Sequence, residues 1–190
     1  MNSALLISML GLVWVNHAHS NVPFKKDFDL NKFSGFWYVI GIATDSERFM
    51  APKGSKKIAG SIVSTDNGLM RLKFSYHLTG GCQVENLVGK EIIHGKYHFP
   101  GKRDVYVSDT DYQDYAVLYI TAYIDGENHD GVMYYSRTKD PTEKGKKKFT
   151  EISQTGFHKY KKEQIVMLQK DDECIKALDE VCQLFSPCPS

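Results

Sequence analysis

The sequence lacks any apolar run near the about 18 residues that a membrane-spanning helix needs. It lacks a charge excess of either sign: 24 Lys and Arg against 23 Asp and Glu leave a net charge of +1. That balance excludes a general nucleic-acid binder, which needs a basic surface. It has no Asn-x-Ser/Thr sequon, so N-glycosylation is not expected. Its four cysteines, Cys82, Cys174, Cys182 and Cys188, form no C-x-x-C pair, which argues against a zinc knuckle or a thioredoxin-type site. There is no G-x-S-x-G, no H-E-x-x-H and no glycine-rich phosphate loop. The pair His94-x-x-x-His98 would chelate on a helix, but on a strand its rings lie about 13 Å apart, so both read as surface histidines. No enzyme activity, cofactor or metal is expected.

What is present is globular and rich in rings. The chain is 42% hydrophobic and 25% charged, with 11 Tyr, 10 Phe and 2 Trp, a bias toward strands. Ala4 to Val15 is nearly all apolar, and Ala18-His19-Ser20 places small residues where a signal peptidase reads. Residues 1–20 are therefore expected to be a signal peptide and 21–190 a single domain. Met1-Asn2-Ser3 departs from the usual pattern in carrying no Lys or Arg. Secretion implies an extracellular protein with oxidised cysteines. Three pairings are open. A Cys82–Cys174 bridge would tie the middle of the chain to its tail and contribute about 4–5 kcal/mol, and Cys182 could pair with Cys188.

From Phe36 to Tyr135 the hydropathy alternates mostly with period two. Met70 to Leu78 is the clearest strand, apolar at every second position. Asp66-Asn67-Gly68 joins it to a strand over Ile58–Thr65 as a hairpin. Further strands are expected at Phe36–Ala43, Gln83–Ile93 (broken near Gly89), Lys96–Phe99, Asp104–Ser108, Tyr115–Ile124 and Gly131–Arg137, separated by turn residues such as Pro100-Gly101 and Asp125-Gly126. Eight strands in an antiparallel meander close into an up-and-down barrel, because closure removes exposed edges. A helix follows, from Thr142 or Lys146 to Thr155, with Gly156 as its C′ residue. Its run Lys144, Lys146, Lys147 and Lys148 reads as a solvated face. Ile165 to Leu168 forms a short ninth strand, and a tail with Cys and Pro begins near residue 179.

Three motifs stand in register: Gly35-Phe36-Trp37 at the first strand, Thr110-Asp111-Tyr112 in a later turn, and Arg137 closing the eighth strand. Singly each is weak. Together, with the meander, the helix and the cysteine spacing, they resemble the lipocalins over about Phe28 to Leu178. The stretches Lys26-Asp27-Phe28-Asp29, Asn31-Lys32-Phe33, Tyr134-Tyr135-Ser136-Arg137 and Gly156-Phe157 are similar to the epididymal lipocalins, a group that includes a retinoic-acid-binding protein. The resemblance implies that Trp37 and Arg137 pack together at the closed end, that Cys82 pairs with Cys174, and that a small lipophilic ligand fills the barrel. The tail after Leu178 departs from the common pattern. The family also includes a prostaglandin isomerase that uses a cavity cysteine on an early strand, and here the early strands have none.

Alternation from the motif residues gives the inward set. Trp37 inward makes Val39, Gly41 and Ala43 inward; the hairpin offers Ile58, Gly60 and Ile62 opposite Met70, Leu72, Phe74 and Tyr76. Later strands offer Val105, Val107, Leu118, Ile120, Met133 and Tyr135. The ligand-binding expectation is Val39, Ala43, Phe49, Ile58, Ile62, Leu72, Phe74, Tyr76, Val105, Leu118, Met133 and Tyr135. In the loop from Thr44 to Lys57, Phe49 and Met50 would cap the open end, and Lys53, Lys56 or Lys57 would meet a ligand carboxylate. These features point to a secreted, monomeric carrier of a retinoid or fatty-acid-like molecule, and the resemblance to the epididymal group implies the male reproductive tract. The alternative is a non-carrier protein, its barrel filled by Phe74, Tyr76 and Tyr135, that binds the sperm surface or a cell-surface receptor.

Overall fold

The computed structural model describes residues 22, 24–46, 57–78 and 80–185, without the side chains of 57 and 181–185. A one-turn helix α1 (Leu30–Phe33) leads into β1 (Gly35–Ala43). The meander then runs through β2 (Lys57–Asp66), β3 (Leu69–Leu78), β4 (Gly81–Ile93), β5 (Lys96–Phe99), β6 (Arg103–Thr110), β7 (Tyr115–Ile124) and β8 (Glu127–Ser136). Each strand pairs antiparallel with its neighbour in sequence, and β1 pairs with both β2 and β8, which closes the barrel. The tight turns are chemically specified. Asn67 and Gly68, and Asp125 and Gly126, have φ of 51°, 80°, 53° and 90°, the left-handed pair that a two-residue hairpin with right-twisted strands requires.

After the barrel come helix α2 (Glu143–Thr155), a 3-10 turn (Lys162–Gln164), β9 (Ile165–Met167) and helix α3 (Asp172–Phe185). The expected helix and ninth strand are both present, and α3 joins them outside the barrel, taking up the start of the Cys-containing tail. Thr142 caps α2 by accepting from the Gly145 N–H at 3.1 Å. The Lys run that follows is held by carboxylates: Lys144 by Asp111, Lys146 by Glu143 and Lys148 by Glu151. Gly156 ends α2 with φ −71°, not in the left-handed conformation of a C′ glycine. Its small size is needed for another reason: a Cβ would lie 2.4 Å from the Ile152 carbonyl oxygen. Strand β4 runs unbroken through Gly89, where a Cβ would lie 2.5 Å from the Phe99 ring.

The described strands shift register at four points, and the bulges at Ile40 in β1 and at Ala59 in β2 are the two that bear on helix docking. Each is followed by a glycine against which a helix docks. A Cβ on Gly41 would be 3.0 Å from the Phe149 ring of α2, and one on Gly60 would be 2.7 Å from Ile175 Cδ1 of α3. The carbonyl of bulged Ile40 accepts from the Leu168 N–H at 2.8 Å, so that carbonyl is satisfied outside the ladder. Strand β9 pairs with Gly41–Ala43, the part of β1 beyond its pairing with β2. The Cys82–Cys174 disulfide, with Cα atoms 5.1 Å apart, fastens α3 to β4. Hydrophobic contacts therefore form one cluster inside the barrel and others between the barrel and the helices.

Candidate functional site: an apolar cavity in the barrel

One end of the barrel is plugged. Trp37 is fully buried there, with its ring 5.0 Å from Phe33 and its indole N–H donating to the Phe33 carbonyl at 2.8 Å. The guanidinium carbon of Arg137 sits 3.6 Å from the Trp37 ring centre. Arg137 donates to the carbonyls of Tyr112, Phe36 and Ser34 at 3.1, 2.8 and 2.9 Å. Burial pushes its pKa down to about 10, so it stays charged at neutral pH. The Thr110-Asp111-Tyr112 turn shapes this end. Thr110 Oγ1 donates to the Tyr115 carbonyl and accepts from the Tyr112 N–H, while the Asp111 carboxylate accepts from the N–H groups of Asp114 and Tyr115. Tyr112, at φ 66°, turns its hydroxyl to accept from the Asp29 N–H, pinning the chain before α1 across the end. The three motifs thus form one closure.

Above the plug lies a cavity of about 170 Å³, far beyond the 10–15 Å³ that one water needs. Ile58, Leu72, Phe74, Val105, Leu118, Met133 and Tyr135 of the expected set line it, as does Ile120. Val39 and Tyr76 belong to the same inner cluster without lining the space, together with Trp37, Met70 and Val107. Phe49, Met50, Lys53 and Lys56 lie outside the described residues, as does the side chain of Lys57.

Ala43 and Ile62 do not point inward. The bulge at Ile40 adds one residue to β1, so beyond it the parity reverses. Ile42 turns into the cavity, while Gly41 and Ala43 face α2. The bulge at Ala59 does the same to β2: Gly60 faces α3 and Ile62 packs on Leu178, whereas Val63 joins the inner cluster. A glycine inside a strand pattern is the recognised signal for a bulge, and Gly41 and Gly60 both carried it.

Strict apolar patterning also passes over the polar members of the wall. Arg103, at the start of β6, shares the inward face with Val105 and lines the cavity. His129 and Asp130, at the start of β8, lie at the rim. His129 Nδ1 is 3.1 Å from Ser46 Oγ, and the Asp130 carbonyl accepts from Thr44 Oγ1 at 2.8 Å, so the end of β1 is tied to β8. The Asp130 carboxylate is engaged by the Tyr119 hydroxyl and His158 Nε2, each at 2.5 Å. Inside, burial pushes the Tyr135 hydroxyl up to about 12, against the Ser61 hydroxyl and the Arg103 charge, which act the other way. His94 and His98 do not line the cavity and pair with Glu91 and Asp104.

Residues 34–172 match the lipocalin / cytosolic fatty-acid binding protein family. Human Lipocalin-15 is 34% identical over 179 residues, covering 92% of this chain and 96% of its own. Mouse Epididymal-specific lipocalin-5 is 30% identical over 182 residues, covering 94% of each. Among solved structures, the siderocalin Ex-FABP superposes with a TM-score of 0.66 at 23% identity, over 74% of this chain and 91% of that one. A closed eight-stranded barrel, its end sealed by Trp37 and Arg137, agrees with the similarity along the sequence, and the chain belongs to the lipocalin family.

Proposed function

We infer that the protein is a secreted carrier of one small hydrophobic molecule, retinoid- or fatty-acid-like, held in the barrel. The observation that carries this reading is the cavity itself: a closed barrel with one plugged end and a wall of aliphatic and aromatic side chains. Such a wall binds by removing apolar surface from water, at about 25 cal/mol per Å² before the costs of association. The unfilled space supports a carrier over a protein whose barrel is packed shut, since Phe74 and Tyr135 border the cavity without filling it. No catalytic role is proposed. The described cysteines, Cys82 and Cys174, are joined to each other, and strands β1 to β3 contain none. Cleavage after Ser20 and delivery into the epididymal lumen complete the reading, the latter supported by the relative of that name.

The test is a fluorescence titration of residues 21–190 with retinol, all-trans retinoic acid and hexadecanoic acid. Trp37 is the single indole in that segment. Saturable change at micromolar concentration or below, lost on Ile120→Glu, is the expected result. The absence of a saturable response to all three would overturn the carrier reading.

A further inference from the structure

Asp104 of β6 and Asp130 of β8 are engaged on the outer face, whereas Arg103 is turned inward. On β6, Asp104 and Tyr106 point out. Asp104 pairs with Lys96 at 3.0 Å and with His98 at 2.6 Å. Lys96 also lies 4.8 Å over the Tyr106 ring. On β8, the Asp130 carboxylate is taken by Tyr119 and His158. Arg103 alternates with these residues, lies on the same face as Val105 and Val107, and is half-buried against the cavity. Among the described residues it stands in no ion pair. Its positive charge is felt at the buried Tyr135 hydroxyl across the inner space.

A guanidinium facing an apolar cavity is costly to desolvate unless an anion meets it. Its planar fork of donors fits a carboxylate in a bidentate pair. Wall and charge together describe a molecule with a long apolar body and one carboxylate. We propose that Arg103 is the anion-binding residue of the cavity and that the natural ligand is a lipophilic monocarboxylate, in preference to a neutral lipid or alcohol. This rests on the carrier reading above and assigns the carboxylate contact to the barrel wall, not to the lysines of the 44–57 loop. The body of the ligand then lies along Leu72, Leu118 and Met133.

The matched pair of dodecanoic acid and 1-dodecanol separates the two readings, because their apolar bodies are the same. Calorimetric titration of the intact protein at pH 7.5 is expected to give about ten- to hundredfold tighter binding of the acid, the range of one charge-assisted contact. Arg103→Met is expected to abolish the preference, so that acid and alcohol bind that variant alike, and Arg103→Lys to keep most of it. Circular dichroism and the melting temperature establish that each variant is folded. Should Arg103→Met not fold, Arg103→Gln, which keeps donors and removes the charge, takes its place. Equal binding of acid and alcohol to the wild type would overturn the role of Arg103 and leave the carrier reading standing. So would an acid preference that survives in a folded Arg103→Met protein. Binding of neither molecule would overturn both.

Discussion

The Arg137 guanidinium lies face-on to the Trp37 indole, 3.6 Å from the ring centre, with backbone carbonyls around its edge. Among the described residues no carboxylate takes part: the charge is stabilised by an aromatic face and main-chain dipoles. Arg137→Ala would leave those carbonyls unmet and the indole uncovered, at a cost of about 3 kcal/mol. Arg137→Lys is expected to recover little, since an ammonium has no planar fork. Denaturant unfolding of both variants, with Trp37 emission shifted to the red in Arg137→Ala, checks this. Wild-type stability in Arg137→Lys would mean that charge alone suffices.

Gly35 belongs to the same closure. Its φ is +115°, and a Cβ there would lie 2.8 Å from Arg137 Nη1. Gly35→Ala combines backbone strain with displacement of the guanidinium and is expected to cost about 2–3 kcal/mol. Thermal melts read the loss. In an Arg137→Ala background it should shrink to the backbone part alone, a coupling that a double-mutant cycle measures.

The bulges make a prediction about sidedness. Ile42 faces the cavity and Ile62 faces Leu178 of α3. Ile42→Phe should weaken ligand binding by about tenfold or more, with modest loss of stability. Ile62→Ala should destabilise by about 2–3 kcal/mol and leave affinity unchanged. Paired melting and binding curves decide it. The opposite pattern would restore simple alternation through both strands.

That reversal marks where the sequence was readable and where it was not. Strands β1 to β8, their order and α2 follow from period-two patterning, turn residues and the helical spacing that comes after them, while the Thr142 cap that sets the start of α2 does not. The closed end and the disulfide both follow from the family likeness that three motifs in register carry. Parity along β1 and β2 does not survive a single inserted residue, and Ile40 and Ala59 carry no side-chain signature of their own. Only the glycines beside them hint at the break. Arg103 escapes an inward set chosen by hydropathy, because a charge on a dry face looks like a strand end. Helix α3 is hidden by a tail read for its cysteines.

Alkaline stability follows from the tyrosines. Burial raises Tyr134 and Tyr135 to about 12. Burial together with neighbouring carboxylates raises Tyr97, Tyr115, Tyr119 and Tyr160 as well. Their folded values exceed the unfolded value of about 10. The folded state therefore holds protons that the unfolded chain releases. This contribution is intact below pH 10 and is lost as pH rises through about 12. Absorbance at 295 nm should show a phenolate step delayed past that of free tyrosine and coincident with unfolding. A single step near pH 10 with unchanged stability would contradict it.

Removing the Cys82–Cys174 bridge, which spans 92 residues, should cost about 4–5 kcal/mol through the freed chain entropy of the unfolded state. A Cys82→Ala, Cys174→Ala double variant compared with the wild type by denaturant unfolding reads this. A loss below about 1 kcal/mol would show that packing of α3 on the barrel holds that side without the covalent tie.

The most direct test of the carrier account is methyl NMR of protein labelled at Ile, Leu, Val and Met, titrated with dodecanoic acid. The account predicts saturable shifts at Ile42, Leu72, Leu118 and Met133, which line the cavity, and little change at Ile62 and Leu178, which lie outside it. Shifts confined to the outer methyls, or none at saturating ligand, would contradict it.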